Sequence, residues 1–309
     1  CAVDEGFGEV AVQGDALVKV PLEKRLFRPC PAPADPVNRV FGFGASDVWF
    51  ALDKGKLRHW DGKAITEIVD RTGPCLRGLW GPSADRLWVV GCDGFIARRE
   101  GGTLKAYSAA GVQSELTSVH GVSESLAWVV GLDGAMLRWD NNRWNKVDSG
   151  VIADLWGVFA TSATDVWVVG SGVILHSSDG MKWSSVLSMT GVNFISLWAS
   201  GPNDIWVGGT DGLLRHSTNG QTFTTVDPKV NGGAIFDLWG NGKGQLWGAV
   251  KGGRVLYLEP QNPWSVATVS GYDKANFSSI WASSTNDLWV VGGYSDGPEG
   301  LILHLLPHP

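Results

Sequence analysis

Methionine occurs only three times and tyrosine four times, and charged residues make up 18% of the chain. A typical soluble domain carries roughly 25% charged residues. With so little charge and 42 glycines, long helices and disordered stretches are disfavoured, and short strands joined by tight turns are what the composition suits. There is no basic excess: the net charge is −6 and the pI is near 5.5. That removes the electrostatic footprint of a nucleic-acid-binding protein, so no nucleic-acid partner is expected. No apolar run approaches the ~18 residues of a membrane-spanning helix, so no transmembrane segment is expected. A glycine-rich phosphate loop leading into a helix is missing, as is a paired-histidine metal motif. No catalytic residues, no metal and no cofactor are therefore expected.

Tryptophan is abundant, with 17 residues. Seven of them, Trp49, Trp88, Trp128, Trp167, Trp206, Trp247 and Trp289, follow one another at steps of 39, 40, 39, 39, 41 and 42 residues. A ring residue precedes each by eight positions: Phe41, Trp80, His120, Phe159, Trp198, Trp239 and Trp281. Repeats of this length built from short strands signal a β-propeller. The expectation is an all-β, seven-bladed propeller of four-stranded antiparallel blades in one domain, residues 1–309. Seven repeats would occupy residues 37–306, and residues 1–36 would supply a linker and a strand that closes the ring. The last repeat ends too soon after Leu301–Leu306 to hold its own outer strand. Glu9–Val12 or, by preference, Ala16–Leu22 is expected to complete it.

The fourth repeat shows the plan. A first strand over Asp154–Ala160 leads through a polar loop to Val166-Trp167-Val168-Val169, a continuous apolar run suited to a strand buried on both faces. A third strand, Val173-Ile174-Leu175-His176, follows, and the outer strand begins near Lys182. Asp-Gly pairs mark tight hairpin turns in several repeats, since glycine accepts positive φ. An aspartate stands two residues before the repeat tryptophan at Asp47, Asp165, Asp204 and Asp287, where its carboxylate is expected to accept backbone N–H groups of the loop. His59, His176, His216 and His304 recur on third strands, which points to a repeated packing or hydrogen-bonding role. His120 differs: it takes a ring position and would bring a titratable group to the channel.

The chain has four cysteines. If Leu79 faces Trp88 the paired indices sum to 167, and Cys75 and Cys92 share that sum, so the two should oppose each other and bond. Cys1 and Cys30 remain and could pair. An even number of cysteines fits two bridges in an exported protein. A chain beginning at Cys1 also looks like a processed bacterial lipoprotein with a lipid anchor at Cys1, which competes with a Cys1–Cys30 bridge. Both readings place the protein outside the cytoplasm, in the periplasm, at the outer membrane or in the extracellular space.

The phrase Leu155-Trp156-Gly157 through Asp165-Val166-Trp167-Val168-Val169-Gly170 recurs as Leu197-Trp198 through Asp204-Ile205-Trp206-Val207-Gly208-Gly209. It resembles exported bacterial propellers with such repeats, which are similar to Asp-box (BNR) and photosystem II assembly-factor-like propellers. Ser177-Ser178-Asp179-Gly180-Met181-Lys182-Trp183 and Ser217-Thr218-Asn219-Gly220-Gln221-Thr222-Phe223 resemble the Asp box with one residue missing. The resemblance covers residues 37–306. It implies a propeller fold, with the boxes acting as folding devices, and no particular reaction.

The candidate ligand surface is the first-strand ring, with Trp80, His120, Trp198, Trp239 and Trp281, together with Arg39 and Arg77 on first strands near the channel. Arg39, Gly78, Ser118, Gly157, Ser196, Asp237 and Ser279 lie two residues earlier on the same face and would leave room beside the aromatics. The leading expectation is a non-enzymatic scaffold that binds another protein or a cell-envelope component. A glycan-binding propeller is the alternative, because tryptophan stacks on apolar sugar faces. A channel-mouth glycosidase or lyase ranks third.

Overall fold

The computed structural model describes residues 27–69, 73–108, 111–140, 142–230, 232–259 and 264–305. They form a β-propeller of small antiparallel sheets. Consecutive strands pair as hairpins, and the first strands stand side by side around a common axis. The last of these meets the first: Ser278 Oγ donates to the Val37 carbonyl at 2.6 Å, and the Val40 N–H donates to Ser279 Oγ at 3.2 Å.

The strands make six sheets, where seven separate blades were expected. Five sheets have four strands and one has six. The fourth and fifth repeats share the large one, because the 18-residue strand Ser184–Gly201 serves both. Its beginning pairs back with Val173–His176, and its end pairs forward with Asp204–Gly209. The chain runs on from one pairing to the other through Gly191, at φ 76°, without leaving the sheet. All seven ring residues still oppose their repeat tryptophans, from Phe41↔Trp49 to Trp281↔Trp289.

The strand that completes the last sheet is Phe27–Pro29, paired with Leu303–Leu305. It lies downstream of both segments expected for that role, and Glu9–Val12 and Ala16–Leu22 fall outside the described residues. The linker behind it is fastened to the seam. Cys30 N–H donates to the Ile302 carbonyl at 3.0 Å, and Gly300 N–H to the Pro33 carbonyl at 2.9 Å. The Asp35 carboxylate, almost fully buried, takes Lys54 and Lys56 Nζ at 2.6 and 3.0 Å. Lys54 itself sits at φ 59° in a turn whose counterparts are Asp93, Asp133 and Asp211. Those three precede glycines that also have positive φ, the geometry of a type I′ hairpin turn.

The repeat tryptophans form the core between sheets. Each is at most 9% exposed. An outer-strand or adjacent ring of the following repeat covers them: Trp144 lies 4.9 Å from Trp88, Phe223 5.9 Å from Trp167, and Trp264 5.3 Å from Trp206. Third-strand partners cover the other side. His59, His176, His216 and His304 stack on Trp49, Trp167, Trp206 and Trp289 with centroids 3.7–4.2 Å apart. In the second repeat Arg98 does the same by cation–π contact at 4.9 Å from Trp88.

The aspartates before the tryptophans work differently from the expectation. Their Oδ1 atoms accept side-chain donors. Asp47, Asp165 and Asp204 each take the tryptophan Nε1–H at 2.7–3.0 Å. The same oxygens lie 2.8 Å from Nε2 of His59, His176 and His216. A carboxylate thus ties the indole to the imidazole stacked on it, across two strands. Asp179 and Asn219 behave as turn formers instead, accepting two backbone N–H groups each at 2.7–2.9 Å.

The hydrogen bond from His216 holds the Asp204 carboxyl below its ordinary value, against the opposing effect of burial. A depressed carboxyl contributes stability that is fully present above its unfolded value of about 3.9. The contribution is lost as pH falls through the folded value. Asp204→Asn should therefore be less stable at neutral pH and lose less on acidification below about pH 4. Denaturant unfolding across pH checks this; parallel curves for the two proteins would contradict it.

The bridge between Cys75 and Cys92 is formed, with Cα atoms 5.2 Å apart. The register behind it is not the simple one, because Leu79 opposes Val89, while Leu76 opposes Gly91. A bulge between Leu76 and Gly78 shifts the pairing by one residue and brings the cysteines opposite each other. Cys30 is buried and is also disulfide-bonded; Cys1 lies outside the described residues. The one group of described residues with metal-ligand reach, Cys75, Cys92 and Glu115, has both sulfurs in this bridge. Among the described residues, no helix is long and apolar enough to cross a membrane.

Candidate functional site

The bulge in the second repeat has a counterpart in every first strand, three residues before the ring position. A bulge leaves one residue unpaired and re-aims its neighbours. At Asn38, Arg77, Thr117 and Ser278 the bulged side chain reaches along the ring to another repeat. Asn38 Nδ2 donates to the Leu76 carbonyl at 2.8 Å, and Thr117 Oγ1 to the Leu155 carbonyl at 2.7 Å. Arg77 occupies this position. It pairs with Glu115 at 2.8 Å and Asp53 at 3.4 Å and does not line the axial cavity. It bridges three repeats there, apart from the other candidate residues.

The next residue in each first strand turns toward the axis. There, side chains join adjacent repeats through backbone groups. Ser118 Oγ accepts the Val158 N–H at 3.4 Å, and Asp237 Oδ2 accepts the Ile280 N–H at 3.0 Å. Ser196 Oγ donates to the Ile235 carbonyl at 3.1 Å. Arg39 extends across to Asp237, 198 residues away in sequence, at 3.1 Å. Gly78 and Gly157 contribute no side chain. These residues and the ring aromatics enclose a cavity of about 210 Å³ to which the first strands of all seven repeats contribute.

The ring divides into two kinds of residue. Trp80, Trp198 and Trp281 are buried, each 7% exposed. Their indoles lie against Gly121, Gly240 and Gly42 of the following repeat, where a Cβ would come within 2.5–2.7 Å of the ring. These three fill the space between repeats. Phe41, His120, Phe159 and Trp239 keep partial access. His120 stacks on Phe159 at 4.2 Å, and its Nδ1 accepts the Ala160 N–H at 3.1 Å. Burial, reinforced by the charge of Arg39, pushes its pKa down to about 3. It borders the axis as expected, yet it is uncharged at neutral pH, so it brings an aromatic wall and no charge switch. Of the candidate residues, the structure brings Arg39, His120 and Trp239 together as accessible groups. Phe41, Phe159 and Asp237 join them.

The fold and this axial site define a β-propeller with a shared central cavity. Among solved structures the chain is similar to YCF48 from Cyanidioschyzon merolae, with TM-score 0.71, 17% identity, and 91% of this chain and 98% of that one covered. YCF48 bound to D1 peptide matches with TM-score 0.72 and 14% identity over 91% and 97%. A catalytically inactive virginiamycin B lyase from Staphylococcus aureus with quinupristin matches with TM-score 0.76 and 14% identity over 92% and 99%. At these identities the likeness is one of fold. No family model and no curated protein matches the chain.

Proposed function

We propose that this chain is an exported, non-catalytic binding propeller that holds a segment of another protein, or a cell-envelope component, at its axial mouth. The ring is read as seven repeat units, the fourth and fifth sharing one sheet. The observation that carries this reading is the cavity lined by first strands of all seven repeats, with accessible aromatics and one arginine in it. Support comes from the fold-level likeness to YCF48, solved with a bound peptide. The Cys75–Cys92 bridge supports export, since such bonds persist in oxidising compartments. Cys30 is also bonded, and a bridge or a lipid anchor at Cys1 are the two readings. Intact mass with and without reduction distinguishes them.

A carbohydrate ligand is the second reading, favoured by the partial exposure of Trp239 at the cavity. Trp239→Ala tests both. Capture of a defined partner from envelope extract, or binding on a glycan array, should fall by about tenfold or more, while the melting temperature changes little. A large stability loss with unchanged binding would reassign Trp239 to packing and remove the mouth from both readings.

A further inference from the structure

The two charged groups in the axial cavity are unequally engaged. Asp237 is saturated. Its Oδ1 takes Arg39 Nη1 at 3.1 Å and the Leu238 N–H at 3.1 Å; its Oδ2 takes Ser279 Oγ at 2.7 Å and the Ile280 N–H at 3.0 Å. Four donors fill a carboxylate's acceptor sites, and three of them are not Arg39, so its negative charge is spread into the first-strand backbone. Arg39 is the reverse case. A guanidinium has five N–H donors, and among the described residues Arg39 makes one polar contact, to Asp237. A third of its side-chain surface remains open, at 32%, in the cavity that Phe41, Phe159 and Trp239 also line.

We propose that the axial cavity binds a small organic carboxylate, which takes the Arg39 donors left free by Asp237 and lays a flat apolar body against Phe41, Phe159 and Trp239. The inference goes beyond the scaffold reading, because it concerns a free small molecule within the ring. A guanidinium receives a carboxylate through parallel N–H bonds, and removal from bulk water strengthens that attraction. A cationic ligand would need Asp237, whose acceptor sites are occupied. His120 is uncharged beside this site and neither competes with Arg39 for the anion nor repels an apolar ring. Gly157 lines the cavity and carries no side chain where Ser118 and Ser196 stand at equivalent positions.

The test is calorimetric titration of the full chain with benzoate, benzamide and benzylamine, followed in parallel by tryptophan fluorescence. Benzoate should saturate at one site and bind about tenfold or more tightly than the neutral and cationic probes. Arg39→Gln should lose that preference. Because Arg39→Gln also breaks the Asp237 pair and can loosen the ring, Gly157→Ser supplies a second variant. A Cβ at Gly157 meets Val169 Cγ2 at 3.2 Å and the Ile195 carbonyl at 3.4 Å, so the Val169 methyl has to give by a few tenths of an ångström. The variant should weaken benzoate several-fold with an unchanged melting temperature. Absence of saturation by about 10 mM benzoate, equal binding of benzamide, tighter binding of benzylamine, or no effect of Gly157→Ser overturns the proposal. Binding of a peptide ending in phenylalanine in place of benzoate overturns the assignment to a free acid.

Discussion

Replacing Trp88 by alanine is expected to destabilise the protein by about 3–5 kcal/mol, the range for emptying a fully buried aromatic site. Trp88 has no exposed surface. Its indole is walled by Trp139 at 4.8 Å, Trp144 at 4.9 Å and Tyr107 at 5.1 Å, with the Arg98 guanidinium above it. Two repeats meet there, so the cavity left behind cannot close by moving one side chain. Arg98 would also lose the nearest of its three aromatic partners, keeping Tyr107, Trp139 and its tie to Glu100. For a chain of this length the fall in melting temperature should be roughly 5–8 °C. Ile152→Ala is the matched control: Ile152 is 92% exposed, and its removal should change stability by less than about 0.5 kcal/mol. Calorimetric melting of the two variants decides the matter. A Trp88→Ala protein melting within about 2 °C of the parent would refute the inter-repeat core as described.

Removing the Cys75–Cys92 bridge should be the other large effect. The bond closes a loop with a sequence separation of 17, which in the chain-entropy model stabilises the fold by roughly 3 kcal/mol. It also clamps the second repeat just outside its bulge, next to the Arg77–Glu115 pair that links the second and third repeats. The double substitution Cys75→Ser with Cys92→Ser avoids leaving a lone thiol. Its chemical denaturation midpoint should drop with little change in slope if the native state is unchanged. The parent protein under reducing conditions should move in the same direction. If reduction left the midpoint where it was, the bridge would contribute nothing to the fold.

Both predictions concern features visible in the bare sequence to different depths. Nearly constant spacing of Trp49 through Trp289 and the apolar runs around them specified strands buried on both faces. That inference holds because side-chain alternation and turn chemistry are local properties of a strand. The recurrence of His59, His176, His216 and His304 was equally legible as a repeated structural role. What escaped was the partner of the neighbouring aspartates. The stacked histidine places its Nε2 beside the same carboxylate oxygen as the indole N–H, a convergence that exists only once two strands are paired. The bulge escaped for a similar reason. Nothing in residue types as different as Asn38, Arg77 and Thr117 announces that each stands unpaired. The expected cysteine pairing came out right although its assumed register was off by one residue, because the bulge restored the opposition.

The amino-acid sequence by itself determined the strand periodicity, the repeat length, the buried tryptophans and the Cys75–Cys92 pairing, all of which follow from short-range pattern and fixed spacing. Only the tertiary structure decided how the repeats join. The long Ser184–Gly201 strand merged two of them into one sheet, and Phe27–Pro29 took the closing place. It also sorted one row of equivalent aromatics into buried wedges, such as Trp80, and cavity walls, such as Trp239. That sorting depends on what the adjacent repeat presents. A glycine at position 121 lets an indole close over it, and an arginine at position 39 finds its carboxylate 198 residues away. Contacts across such distances leave no mark in the local sequence, because the ring, and not the strand, brings them together.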